Sequence, residues 1–185
     1  MATDVFQPIT NPITGETFKC VSFDQRAYVM EWTLEPKGYV PVEHVHPRQE
    51  EVFLVKEGEL SLHLDGKEAI VKAGESITVP KGSRHIAYNQ TNNVVKCIVE
   101  YRPGLDHRQM FQCFGGLILD QDYNAKGEIN VPKMGFLLKR MNCQAVMRPS
   151  NIPAPVFGIV LNVFYLIGMM KGWNRDFVRY TGQER

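Results

Sequence analysis

Gly38-Tyr-Val-Pro-Val-Glu-His44-Val-His46-Pro-Arg-Gln-Glu-Glu51-Val-Phe-Leu-Val-Lys-Glu-Gly58 is the stretch on which the reading of this 185-residue chain turns. His44 and His46 stand two apart, so on an extended strand both imidazoles point to one face. Glu51 follows five residues later, at the head of the apolar run 52–55. After fifteen intervening residues a second block begins, Gly74-Glu-Ser-Ile-Thr-Val-Pro80-Lys-Gly82-Ser-Arg-His85-Ile-Ala-Tyr-Asn89. It supplies a third imidazole just after a tight turn. Three imidazoles and one carboxylate are ligands for Zn²⁺, Fe²⁺, Ni²⁺ or Mn²⁺, and they leave coordination positions open. A lone H-x-H pair carries little weight, since five histidines in a chain of this length are ordinary. The frame of glycines and proline around the four residues is what raises it.

Working outward, residues 17–102 are punctuated like an all-β domain. Short apolar or alternating runs at 27–34, 51–55, 60–64, 76–79 and 94–101 are separated by Gly, Pro, Asp and Asn. Asp65-Gly66 between two such runs predicts a hairpin, because that turn needs positive φ. Many short strands with regular turns predict a sandwich or closed barrel. After Gly104 the pattern changes to helical spacing, with helices expected over 105–119, 134–141 and 156–177. The division expected is a β-barrel over 1–103 and a helical extension over 104–185, packed on the barrel.

The two blocks resemble the paired motifs of the cupin superfamily at every fixed position, over residues 38–58 and 74–89. The resemblance implies a mainly β fold: a double-stranded β-helix, or jelly-roll-like barrel, here with a C-terminal α-helical extension. It also implies that His44, His46, Glu51 and His85 hold one divalent transition metal (Fe, Mn, Ni or Zn). His63 and His107 match no ligand position. His63 has the opposite parity to its leucine neighbours and is expected to face outward, and His107 is expected to be solvated near a helix start. Cys97 and Cys113 read as small core residues.

Composition narrows the function classes. Twenty-one basic against 20 acidic residues give a net charge of +1, which offers no field for nucleic-acid phosphates. Cys20, Cys97, Cys113 and Cys143 form no C-x-x-C pair. The first residues lack a basic start and apolar run, so a reducing cytoplasm is expected. The 22 positions between Arg148 and Lys171 carry no charge. They open with three prolines among turn residues, and the apolar helix that remains, 156–170, falls short of the ~20 residues of a membrane span. Val156, Ile159, Val160, Val163, Phe164 and Ile167 form a helical stripe, expected to lie against the barrel or in a subunit interface. A homodimer is expected for the same reason.

Strand parity sketches the pocket. Val42 shares a face with the first two histidines, Phe53 with Glu51, and Ala87 and Asn89 with His85. Such a wall holds no Lys or Arg, which favours a small, mostly uncharged molecule over a sugar phosphate. Glu43, Arg48 and Gln49 are placed near the rim. The expected function is a metal-dependent enzyme of oxygenase or isomerase type. The alternative is a barrel that binds a ligand or a structural metal without turnover.

Overall fold

Strands form where period-two alternation places one face indoors. In chain order, residues 2–143, 145 and 147–183, which the computed structural model describes, contain β1 (Ile9–Asn11), β2 (Glu16–Phe23), β3 (Tyr28–Leu34), β4 (His44–Val45), β5 (Glu50–Glu57), β6 (Glu59–Leu64), β7 (Lys67–Lys72), β8 (Ser76–Val79), β9 (His85–Tyr88) and β10 (Val95–Arg102). They make two antiparallel sheets, one ordered β1-β2-β3-β10-β5-β8 and one containing β4-β9-β6-β7. Tyr28, Met30, Trp32 and Leu34 of β3 point inward, as do Val95, Cys97, Val99 and Tyr101 of β10. The same parity carries Glu51 into the interior beside Phe53 and Val55 of β5. The β6–β7 hairpin turns at Asp65 and Gly66, with φ of 49° and 81°. Only a residue free of Cβ crowding accepts the second value cheaply, which is why glycine stands there.

Four helices follow: α1 (His107–Leu119), α2 (Val131–Arg140), α3 (Ala154–Lys171) and α4 (Asn174–Thr181). The first closes one side of the barrel. Phe111 and Phe114 of α1 pack on Phe18 at ring separations of 5.6 and 5.5 Å, and Phe111 stacks on Tyr28 at 5.3 Å. Such aromatic pairs add to simple area burial. Behind them Cys113, Leu117, Phe136, Leu137, Phe177 and Tyr180 form a second core that joins α1, α2 and α4. The loop before α3 also returns to the barrel. Its short strand β11 (Arg148–Pro149) pairs with β4 and becomes the edge of the second sheet.

Two expectations for the extension are corrected. The single helix expected over 156–177 is two, because Gly172 adopts φ 71° and ends α3, with Trp173 N–H bonded back to the Gly168 carbonyl. Nor does the stripe Val156, Ile159, Val160, Val163, Phe164 and Ile167 lie on the barrel. Val156, Ile159 and Val163 are exposed, Ile159 by 64%, while Phe164 of the stripe, with Leu161 and Gly168, meets Gly135 and Phe136 of α2. The helix is apolar on both sides, so its spacing could not choose which side would be covered. By length and composition α3 is the one described helix able to cross a membrane.

Candidate metal centre

The four residues of the two sequence blocks meet inside the barrel. His44 of β4 pairs directly with His85 of β9, and Glu51 enters from the opposite sheet, at the level of Tyr101 and Val79. His46 follows β4 on the loop leading to β5. One ligand atom from each of His44, His46, Glu51 and His85 lies within 4.8 Å of all the others, and all four residues are buried. The imidazole rings stand 4.3 to 5.3 Å apart. His44 is the least enclosed of the four, so the cluster is nearest to solvent on its side.

Hydrogen bonds orient the rings. His44 Nδ1 lies 2.9 Å from the Val42 carbonyl and His85 Nδ1 lies 3.3 Å from the Ser83 carbonyl. A carbonyl only accepts, so each ring donates from Nδ1 and turns a lone pair at Nε2 toward the cluster. His85 Nε2 stands 2.8 Å, and His46 Nε2 3.3 Å, from Glu51 Oε2. Two acceptors at such distances need a proton or a cation between them. His46 makes the same point differently: it is almost fully buried, and neither of its ring nitrogens has a hydrogen-bond partner. A buried polar group left so costs about 1–3 kcal/mol. A divalent cation among the four would satisfy both features, and the donor set suits a transition metal.

Charge regulation agrees. Burial, helped by His46 and His85, lowers the His44 pKa to about 3, so this imidazole is neutral and able to coordinate. Burial would raise Glu51, yet the close approach of His46 and His85, the latter hydrogen-bonded to it, holds it well below the usual carboxylate range. It is an anion inside the core. For His85, burial is outweighed by Glu51 and the pKa rises, as expected for a pair that shares a proton.

A second ring of groups surrounds the cluster. The Tyr101 phenol, buried and hydrogen-bonded to Glu51, is pushed far up by burial first and by that carboxylate second. His107, the first residue of α1, stacks on Tyr101 at 3.8 Å and stands 6.3 Å from the His46 ring. It was expected to be solvated and is 0% exposed. The helix does start here, but α1 docks by that very end, so its first residue goes indoors. No spacing rule signals this, because the contact joins residues about 60 positions apart in sequence, His46 and His107.

The pocket residues fare unevenly. Phe53 packs edge-on against Trp32 at 5.8 Å, and Ala87 is in the same buried core. Val42 departs from expectation, being 37% exposed, because it precedes β4 on a loop where strand parity does not apply. The Asn89 amide is a tie for loops, donating to the carbonyls of Leu34, Glu35 and Asn93, and is not free to greet a ligand. Gln49 is likewise buried rather than at the rim, donating to the Pro103 carbonyl at 2.7 Å. Glu43 accepts a hydrogen bond from the Ser150 hydroxyl, and His63 is exposed against Tyr88.

A two-sheet antiparallel barrel with a His₃Glu cluster defines the class. The family model for the cupin domain matches residues 30–101, the segment that holds both sequence blocks. A curated relative, the uncharacterized protein YdbB of Bacillus subtilis, is 39% identical over 56 residues, covering 30% of this chain and 50% of that protein. The match thus spans about half the length of that relative. Among solved structures, an RmlC-like cupin from Shewanella frigidimarina aligns at 24% identity over 52% of this chain and 83% of its own, with a TM-score of 0.45. A cupin-superfamily sugar phosphate isomerase from Silicibacter pomeroyi aligns at 24% identity over 49% and 60%, also with a TM-score of 0.45.

Proposed function

We propose that this protein binds one divalent transition metal through His44, His46, Glu51 and His85 and uses it enzymatically on a small, mostly uncharged molecule. The observation that carries the reading is the buried cluster of imidazole nitrogens around one carboxylate oxygen, a closeness that a cation or a proton would reconcile. When bound, such an ion supplies a Lewis acid, or a centre for oxygen chemistry. The residues do the remainder. Val42 and Ser83 carbonyls fix the His44 and His85 tautomers, Glu51 reduces the charge of the ion, and Phe53, Ala87 and their neighbours keep water away.

The preference for an uncharged molecule rests on the interior. Among the described buried residues the only basic side chain other than histidine is Lys133, on α2 and ion-paired to Asp122 and Asp176. Oxygenase and isomerase chemistry both fit this wall. For assembly, a homodimer that covers the outer side of α3 is the arrangement in keeping with its exposed apolar residues.

The test is elemental analysis of protein purified without a chelating tag, followed by reloading with iron, manganese, nickel or zinc. Phenols, diketones and neutral sugars are then screened for oxygen uptake and product formation. Glu51→Gln is expected to keep the barrel folded, to weaken metal binding by roughly 100-fold or more, and to abolish turnover. No turnover with any metal, together with a large fall in melting temperature on chelation, would transfer the site to a structural or ligand-binding role.

A further inference from the structure

Beside the cluster stands a buried polar group to which the metal gives no task. His107 is 0% exposed, and neither Nδ1 nor Nε2 has a hydrogen-bond partner. Its ring is stacked on Tyr101 at 3.8 Å and flanked by Tyr28 and Phe111, each at 5.1 Å. These neighbours present ring faces and edges, none of which satisfies an imidazole N–H and lone pair. The cluster is also near, the His46 ring standing 6.3 Å away. His107 lies outside the set of four whose ligand atoms converge. It therefore stands outside the four residues that would hold the ion.

We infer that His107 receives a small exogenous molecule bound beside the metal, hydrogen-bonding one of its oxygen or nitrogen atoms. This rests on the proposed metal site. A neutral imidazole offers one donor and one acceptor, which suits a compact ligand bearing a lone pair, of the size of water or a triatomic anion. Tyr101 links His107 to the cluster, its hydroxyl on Glu51 and its ring on His107, so α1 sets the position of the imidazole against the ligand cluster. The helical extension thereby contributes a residue to the site in the barrel. His107 is a ligand-contacting group by this reading, and its loss should be felt by the exogenous ligand and not by the ion.

The experiment uses the full chain loaded with Co²⁺, whose visible spectrum reports both metal binding and azide binding. His107→Phe preserves the stacking on Tyr101 and removes both nitrogens. Azide affinity is expected to fall by about tenfold, the worth of one hydrogen bond, with Co²⁺ affinity unchanged within about threefold. His107→Gln, which keeps a donor and an acceptor, is expected to recover most of the azide binding, and circular dichroism establishes that both variants fold. Unchanged azide affinity in His107→Phe would overturn the inference while leaving the metal site standing. A Co²⁺ affinity that falls as far as in His46→Ala would overturn it too, by making His107 a ligand of the ion. Failure of the unaltered protein to bind Co²⁺, Fe²⁺, Mn²⁺, Ni²⁺ or Zn²⁺ would remove the metal reading itself, and this inference with it.

Discussion

Helices α1 and α3 arise from the same apolar-rich C-terminal stretch, yet one disappears into the protein while the other stands largely in the open. In α1, Met110, Phe111, Cys113, Leu117 and Ile118 are all buried. In α3 only Gly168 is. The difference is not hydrophobicity, since α3 is the more apolar sequence. It is that α1 begins where β10 ends, at the open side of the barrel, and offers aromatic rings at the height of Phe18 and Tyr28. α3 finds only the narrow face of α2, where Gly135 and Phe136 admit Leu161, Phe164 and Gly168. Hydropathy states that a segment needs cover, whereas geometry decides whether the chain itself provides it.

The sharpest way to break this comparison is Phe111→Ala. The ring touches Phe18, Tyr28, Tyr101, His107 and Phe114. Its removal leaves a cavity where helix and barrel meet, at an expected cost of about 3–5 kcal/mol in denaturant unfolding. A loss below about 1 kcal/mol would mean that α1 rides on the barrel as loosely as α3 rides on α2.

A second test contrasts the polar interior of the barrel with the helices. Glu16 is buried, accepts a hydrogen bond from the Thr14 hydroxyl, and has a pKa raised from 4.5 to about 8 by burial, against the opposing hydrogen bonds from Thr14 and Trp32. The folded protein therefore holds a proton that the unfolded chain releases. Below about pH 4.5 both states are protonated and the full contribution is present. From there to about pH 8 stability falls, by about 1.4 kcal/mol per unit at most. Glu16→Gln is expected to flatten that decline and to raise stability at pH 8, as read from urea midpoints at several pH values. A parallel decline in both proteins would show that Glu16 is ionised in the fold.

Much of this was legible before any coordinates. The strand runs, the Asp65-Gly66 hairpin and the four clustered residues are local patterns: parity, turn chemistry and motif spacing each act over a few residues. The two-residue strand β11 and the burial of His107 and Gln49 were not legible, because each depends on chain segments that meet over 50 or more positions. Val42 departs for the opposite reason, a local rule applied two residues before the strand that justifies it. The α3 stripe shows a third limit. With apolar residues on both sides, periodicity identifies a helix and leaves its orientation open.

A smaller effect is expected within the extension itself. Asn130 caps α2 by accepting from the Lys133 N–H at 3.1 Å, and its amide donates to Asp122. Asn130→Ala should cost about 1 kcal/mol, measured by thermal melting, since one orphan N–H of the first turn loses its acceptor. If α2 and α3 unfold as a weak unit apart from the barrel, this loss will appear only in an early partial transition. A single cooperative transition shifted by that amount joins the extension to the barrel core.

The smallest expected change in stability tests the other side of the comparison. Leu166 is 63% exposed, on the side of α3 that also carries Ile159, Val163 and Met170. A charge placed there enters water rather than a core, and leucine and glutamate have similar helix propensities. Leu166→Glu should therefore alter unfolding free energy by no more than about 0.5 kcal/mol. Its effect belongs to association. If a second copy covers this side, as proposed, light scattering should show the mass falling from dimer toward monomer, because each partner would bury a carboxylate in an apolar contact. An unchanged dimer would locate the interface elsewhere, and a monomer in both proteins would dispose of the dimer. A stability loss above about 2 kcal/mol would reverse the structural reading, for it would mean that this side of α3 lies inside the chain's own core.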